Sequence, residues 1–172
     1  MTLSKSFLRD FCDAAEELGM FRQSNRNEAF LASVVEGNAR KVQFFLDGGA
    51  DVNYREALQW AIDRDVNGDH DEVVKVLLLN GAQLYYTRSK DLMPGGPFTP
   101  FVSASKEGKL AIVQTMLLYG SVAAADKSMA LDYADACRHC KVIKTLLEAG
   151  AKSDRPLESL VDRGDLKGWP QP

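Results

Sequence analysis

The polar residues best suited to chemistry form an acidic run near the middle of the chain: Asp63, Asp65, Asp69, His70 and Asp71. Carboxylates beside a histidine can carry out acid–base catalysis, and alternating oxygen donors can bind a divalent cation. However, the run lacks the bidentate glutamate that closes an EF-hand calcium loop. Short polar loops are also common between helices. We therefore interpret the run as a solvated connection and predict no metal site there.

A second pattern of metal-ligating residue types is Cys137-Arg138-His139-Cys140. A structural zinc site uses four thiolate or imidazole ligands. This motif offers three, and the chain's other histidine is His70. We therefore favour a turn flanked by two small residues over a metal or redox centre. The sequence predicts no catalytic residues, no metal and no cofactor.

The long segment 83–98 is the third place where chemistry could occur. It contains Pro94-Gly95-Gly96-Pro97, but no lysine followed by serine or threonine comes after these residues, so the segment does not match a phosphate-binding loop. The same segment is rich in tyrosine, arginine and methionine, the residue types enriched at protein interfaces. Long loops in compact arrays are either functional or disordered, and the sequence leaves both alternatives open.

Composition narrows the possible classes of function. The chain has 172 residues, 45% of them apolar and 26% charged, and a formal net charge of −3. This size and balance predict one domain, and they argue against nucleic-acid binding, which needs a basic stripe. No window approaches a membrane span, and the acidic N-terminus predicts no secretory signal. The odd count of three cysteines favours a reducing compartment, cytoplasmic or nuclear.

Four leucine-rich stretches, each ending in a glycine, recur along the chain. The glycines are Gly49, Gly81, Gly120 and Gly150, at spacings of 32, 39 and 30 residues. A period near 33 is typical of stacked helix-turn-helix repeats. Glycine after the last leucines suits a left-handed helix C-cap.

Each repeat contains two apolar stretches, which predict a first and a second helix. The predicted first helices are 28–36, 56–64, 99–107 and 129–137, and the predicted second helices are 40–46, 72–79, 110–119 and 141–149. The second helices carry apolar residues at helical spacing. We expect Leu117, in the third of them, to be buried.

The run GNARKVQFFLDGGADVN at 37–53 aligns without a gap to the ankyrin motif G-H-x-E-V-V-x-L-L-L-x-x-G-A-D-V-N. DEVVK at 71–75 and TPF at 99–101 are further matches. The chain therefore resembles the ankyrin-repeat family over 27–165. The resemblance implies an all-α solenoid of stacked helix-turn-helix units with short or irregular hairpin fingers. It also implies that Trp60, at a buried leucine position of the family, lies in the core.

The chain departs from the family in its T-P-L-H tetrad, which is nowhere complete. The histidine position holds other residue types in every repeat: Leu31, Gln59, Val102, Asp132 and Glu158. The threonine–histidine hydrogen bonds that lock the family's turns are therefore missing, which predicts reduced stability. The first finger, after Asn53, is also largely deleted.

The repeats and their flanks predict a domain organisation. We expect an N-terminal capping helix at 4–18 within a flank of 1–25, an ankyrin-repeat domain at 26–165, and a tail at 166–172. The predicted repeats lie near 27–54, 55–86, 98–126, 128–154 and, in part, 155–165.

The resemblance implies a non-enzymatic module that binds a protein or peptide across a concave face formed by the fingers and first helices. We add the long connection 83–98 to this face and expect a chain that is monomeric alone. The predicted partner-binding residues are Asp63, Arg64, Tyr85, Tyr86, Arg88, Phe98, Lys106, Glu107, Arg138 and Arg163.

The alternative is an enzyme or small-molecule binder that uses the groove as its pocket. Its candidate residues are Asp63, His70, Tyr86, Arg88 and Lys106. Such a function requires convergent polar groups in a closed cavity. The shape of the concave face distinguishes the two hypotheses.

Overall fold

The structure, a computed structural model, describes residues 9, 10, 14, 23–66, 68–84 and 99–153. The chain divides into two compact units, Met1–Gln83 and Leu84–Pro172. All regular structure in the described residues is helical. Within that part of the chain, none of the helices combines the length and apolar composition needed to cross a membrane.

Residues 23–66 and 68–83 of the first unit form two helix pairs. The helices are α1 (Gln23–Val35), α2 (Ala39–Asp47), α3 (Ala57–Arg64) and α4 (Asp71–Leu79), with a 3-10 turn at Tyr54–Glu56. The first helices α1 and α3 pack on each other, and the second helices α2 and α4 do the same. The short 3-10 turn replaces the finger that the sequence predicted to be reduced, and Arg55 and Glu56 within it have φ values of 46° and 57°.

The second unit repeats this arrangement. Its helices are α5 (Pro100–Lys106), α6 (Leu110–Tyr119), α7 (Ala124–Ala136) and α8 (Cys140–Glu148). Again the first helices α5 and α7 pack together, as do the second helices α6 and α8. Like-with-like packing of helix pairs therefore occurs in both units.

Local sequence signals account for several helix ends. The Asn38 side chain accepts a hydrogen bond from the Lys41 amide at the start of α2, at 3.1 Å. The Thr99 hydroxyl accepts from the Val102 amide at 3.4 Å, and Pro100 begins α5 with a φ suited to a first helical residue. Gly49, Gly81 and Gly150 follow helices in the predicted left-handed conformation, with φ of 80–90°.

Gly120 does not adopt the predicted left-handed cap, because its backbone is extended, with φ −99° and ψ 154°. A Cβ atom at this position would lie 2.7 Å from the Met116 carbonyl oxygen and 3.0 Å from a Leu84 methyl group. Glycine is therefore required here for close approach of the neighbouring atoms and not for a positive φ.

The core of each unit is formed by one face of every helix. In the first unit it includes Phe30, Val34, Val42, Leu58, Ile62, Val74 and Leu77. In the second it includes Phe101, Val102, Ile112, Val113, Met116, Leu131, Ile143 and Leu146. The expected burial of Leu117 is only partly met, since Leu117 is half-buried whereas Met116 is fully buried.

Trp60 corrects a second expectation about burial. It was expected in the core, but 39% of its surface is exposed. The buried face of α3 consists of Ala57, Leu58, Ala61 and Ile62. Because successive helical residues are about 100° apart, Trp60 points roughly 200° away from Leu58.

Side-chain hydrogen bonds between repeats replace part of the missing threonine–histidine lock. Asp132, at the family's histidine position, accepts a hydrogen bond from the Ser153 hydroxyl at 2.9 Å. In the first unit, the Asn53 side-chain oxygen accepts from the Gln83 amide, also at 2.9 Å. Each net contribution is about 0.5–1.5 kcal/mol, so these bonds offset some of the expected loss of stability.

Candidate functional site

The described candidate binding residues lie at the ends of the first helices and in the turns that follow them. Asp63 and Arg64 are exposed at the end of α3, and Lys106 and Glu107 are exposed at the end of α5. Arg138 is exposed in the turn after α7. The other predicted binding residues lie outside the described residues: Tyr85, Tyr86, Arg88, Phe98 and Arg163.

The end of α3 presents an organised polar surface around an aromatic ring. The Gln59 amide donates to the Asp63 carboxylate at 2.6 Å. The Arg64 guanidinium lies 5.6 Å from the centre of the Trp60 ring, within the range of a cation–π contact. Exposed tryptophan and arginine are the residue types that dominate binding hot spots. Trp60 is therefore a candidate binding residue, although the sequence analysis predicts it in the core.

The end of α5 is charged and packs beside the second pair of that unit. The Lys106 ammonium group lies 6.0 Å from the centre of the Tyr133 ring on α7. Glu107 forms an ion pair with Lys109 at 2.7 Å. The backbone carbonyl of Lys106 faces the Nε2 atom of His139 at 3.0 Å. This last contact brings the end of α5 against the turn between α7 and α8.

His139 belongs to a contact, the histidine clamp, that recurs in the first unit. There the Nε2 atom of His70 faces the Val35 carbonyl oxygen at 3.4 Å. In both units the imidazole ring covers a glycine of the preceding turn, Gly37 under His70 and Gly108 under His139. These glycines have φ of 76° and 74°. The histidines therefore join the turns of successive repeats.

The acidic run before α4 is organised around His70. The His70 Nδ1 atom lies 2.7 Å from the Asp69 carboxylate, and the Asp65 carboxylate accepts from the His70 backbone amide at 3.1 Å. Asp65 and His70 are only 7% and 5% exposed, so the interpretation as a wholly solvated loop is wrong for these two residues. Asp63 and Asp71 do not belong to this cluster.

The cluster has the atoms of a partial metal site. One ligand atom each from Asp65, Asp69 and His70 lies within 4.8 Å of the others. However, each of these groups is already engaged in a hydrogen bond within the loop. A cation would have to compete with these bonds, and a dedicated oxygen site uses six or more ligands for calcium. The arrangement serves to position the turn between α3 and α4.

The motif Cys137-Arg138-His139-Cys140 forms the corresponding turn between α7 and α8. Cys137 is exposed, Cys140 is half-buried, and both thiols are free. The Cys140 thiol lies 3.7 Å from the Arg138 carbonyl oxygen, whereas His139 is held by Lys106. The histidine thus acts in packing between repeats.

The sequence singled out Arg138 in this turn but not the lysines that follow it. Lys141 and Lys144 are exposed on α8, three residues apart and therefore on one helix face. Arg138, Lys141 and Lys144 follow one another at intervals of three residues, and this spacing in the sequence could have indicated a cluster of cations. The contact of His139 with the Lys106 carbonyl brings the turn before these lysines against the end of α5, and this contact is not visible in the sequence.

No family model matches the chain. The chain is 25% identical over 142 residues to "Ankyrin repeat and KH domain-containing protein mask-1" of Caenorhabditis elegans. The match covers 79% of this chain but only 5% of that much longer relative. This distant similarity and the helical structure are compatible with ankyrin repeats, and they suggest a protein-interaction module in general.

Proposed function

We propose that the chain is a non-enzymatic ankyrin-type module that binds another protein or peptide. The observation that carries this proposal is the recurrence of like-with-like helix packing, which leaves charged ends of first helices exposed in each unit. Repeat proteins build extended binding surfaces from such elements. The distant similarity to a protein named for its ankyrin repeats supports the same conclusion.

The binding residues that we propose lie at the first-helix ends within each unit. They are Trp60, Asp63 and Arg64 in the first unit, and Lys106 and Glu107 in the second. The mixed signs of these exposed side chains suit a polar protein epitope, because electrostatic complementarity governs partner choice. Tyr86 and Arg88 in the long segment remain the sequence-based candidates for anchoring contacts.

Affinity capture followed by calorimetry tests this function. The immobilised chain is used to capture a partner, which is then titrated against the wild type and two variants. We expect Tyr86→Ala with Arg88→Ala to weaken binding by at least about 2 kcal/mol, the threshold for hot-spot residues. Trp60→Ala with Arg64→Ala should have a similar effect if the end of α3 contributes an anchor.

Lys152→Ala, an exposed lysine outside the proposed surface, is the control and should bind normally. Thermal unfolding of every variant establishes that the fold is retained. Unchanged affinity in both folded double variants would remove these residues from the partner site. Failure of the wild-type chain to retain any partner specifically would contradict the proposed function itself.

A further inference from the structure

The second unit carries an excess of positive charge at the turns that join its first and second helices. In residues 106–109 and 135–144 the cations are Lys106, Lys109, Arg138, Lys141 and Lys144, and the acids are Glu107 and Asp135. The chain as a whole has a net charge of −3. This local excess of cations is therefore a feature of the surface and not of the composition.

Three of these cations form no ion pair with any described residue. Within the described part of the chain, no carboxylate lies within ion-pair distance of Arg138, Lys141 or Lys144, although Glu107 pairs with Lys109 at 2.7 Å. All three side chains are exposed. They can therefore contact an external anion without first breaking an ion pair to those residues.

The backbone around these cations is held in place by the fold. The Arg138 amide donates to the Asp135 carbonyl and the Cys140 amide donates to the Arg138 carbonyl, at 2.9 and 3.1 Å. Arg138 itself has φ of 60°. The histidine clamp holds this turn against the backbone carbonyl of Lys106 at 3.0 Å, so cations of two helix pairs lie on adjoining turns. We name Lys106, Arg138, Lys141 and Lys144 the basic turn edge.

The position of Lys141 is unfavourable for helix stability. Lys141 lies in the first turn of α8, which contains no acidic residue, and His139 provides no side-chain cap. The amino-terminal end of a helix carries a partial positive charge, so a cation there is destabilising and an anion is stabilising. The helix end and the three cations Arg138, Lys141 and Lys144 thus favour the same kind of ligand.

We propose that the basic turn edge binds a carboxylate-rich segment of a partner protein. This inference rests on the proposed function as an interaction module and names the chemistry of one part of its partner. Arg138 can form two parallel hydrogen bonds with one carboxylate, while Lys141 and Lys144 contribute charge along α8. The contact accelerates association and selects an acidic partner.

An acidic protein segment fits this edge better than a nucleic acid. Binding to a phosphate backbone requires a protein with an extended positive footprint, and this chain is acidic overall, with a sequence pI near 5.4. Base stacking requires an exposed aromatic platform, whereas Tyr133, the ring beside Lys106, is half-buried. A short acidic peptide requires only the local cluster.

Fluorescence anisotropy with two labelled probes tests the proposal. The first probe is a peptide of alternating glutamate and glycine, and the second is a deoxythymidine oligonucleotide of equal charge. The variant Arg138→Gln with Lys141→Gln and Lys144→Gln removes three cations of the edge. The matched control, Arg40→Gln with Lys41→Gln and Lys75→Gln, removes the same charge from the second helices of the first unit.

We expect the wild type to bind the glutamate peptide with an affinity that falls as salt is raised from about 50 to about 200 mM. The edge variant should bind at least about fivefold more weakly, and the control should change by less than about twofold. Equal losses in both variants would mean a net-charge effect and would overturn the proposal. Absence of peptide binding, or tighter binding of the oligonucleotide, would also overturn it.

Titration of a partner captured by the full chain distinguishes failure of this inference from failure of the proposed function. If the edge variant binds that partner as tightly as the wild type, the basic turn edge is not its contact and the inference fails, although the module still functions. If binding falls at least about fivefold and the glutamate peptide competes for the site, both the module and the chemistry of its partner are supported.

Discussion

The turns that join first and second helices use the same clamp in both units but carry opposite charge. In the first unit, the clamp residue His70 is surrounded by carboxylates, and a nearby acid is paired internally, Glu72 with Lys75 at 3.2 Å. In the second unit, the clamp residue His139 is flanked by cations, three of which have no ion pair in the described residues. The histidine contacts between repeats are thus the same in both units, while the charge of the surrounding surface differs. The histidines therefore serve folding, and the surrounding charged side chains are available for binding.

The largest expected effect concerns the glycines beneath the two histidine rings. A Cβ atom at position 108 would lie 2.5 Å from the His139 ring, whereas one at position 37 would lie 3.2 Å from the His70 ring. Gly108→Ala should therefore combine a left-handed backbone penalty of about 1–2 kcal/mol with an overpacking cost of about 1–3 kcal/mol. Gly37→Ala should cost mainly the backbone penalty, about 1–2 kcal/mol.

Denaturant unfolding of the full chain measures this difference. Gly68→Ala is the control, because Gly68 has φ of 77° but its added methyl group would meet no atom within 4 Å, so it reports the backbone penalty alone. Equal destabilisation by Gly108→Ala and Gly68→Ala would show that the His139 ring moves aside freely and that the clamp in the second unit is loose.

Replacing the histidines should destabilise the first unit more than the second, whereas replacing the glycines should destabilise the second unit more. His70→Ala removes a buried ring that contacts Asp69 and the Val35 carbonyl, so we expect a loss of about 2–4 kcal/mol from a charge-assisted hydrogen bond and core packing. His139→Ala removes one bond to the Lys106 carbonyl from a more exposed ring, and should cost about 1–2 kcal/mol.

Chemical denaturation followed by tryptophan fluorescence and circular dichroism checks this order. His70→Gln and His139→Gln, which retain a polar side chain of similar reach, provide matched comparisons. A greater loss for His139→Ala than for His70→Ala would contradict the conclusion that the acidic loop depends on its histidine more than the basic turn does.

The smallest expected effect concerns the surface cations. Lys41 pairs with Glu36 at 2.9 Å in the first unit, so Lys41→Gln should destabilise the chain by about 0.2–1 kcal/mol at low salt, and less at high salt. Lys144→Gln should leave stability within about 0.5 kcal/mol of the wild type, because Lys144 has no such pair among the described residues. Unfolding at two salt concentrations measures both. A salt-dependent loss of stability in Lys144→Gln would show that Lys144 forms a stabilising ion pair in the fold, and it would contradict the expectation that Lys144 is available for binding.

Much of the helical architecture could be predicted from short-range patterns. The second helices were predicted within about one residue at either end, because their apolar spacing and flanking glycines act locally. The first helices α1 and α7 begin five residues earlier than predicted, at Gln23 and Ala124. Their leading residues are polar or small, as in Gln23-Ser24-Asn25, and such residues give little amphipathic signal.

The candidate site was predicted less completely. Asp63, Arg64, Lys106 and Glu107 are exposed, as the resemblance to ankyrin repeats implied for the ends of the first helices. The position of Trp60 did not, because an aromatic residue at a family core position suggests burial until the orientation of α3 is known. The burial of Asp65 and His70 was not predicted, because His70 meets the Val35 carbonyl at the end of α1, 35 residues away, and Asp65 bonds to the His70 amide.

The sequence by itself determined the helix pairs, their caps at Asn38 and Thr99, and the glycines that end them. All of these follow from interactions between residues a few positions apart. Only the tertiary structure decided which turns touch: His139 meets Lys106 across 33 residues, and Asn53 meets Gln83 across 30. Contacts at such separations depend on how the helices pack, and no local pattern encodes them. The basic turn edge arises in this way, because packing of α5 against α7 brings cations from two repeats together.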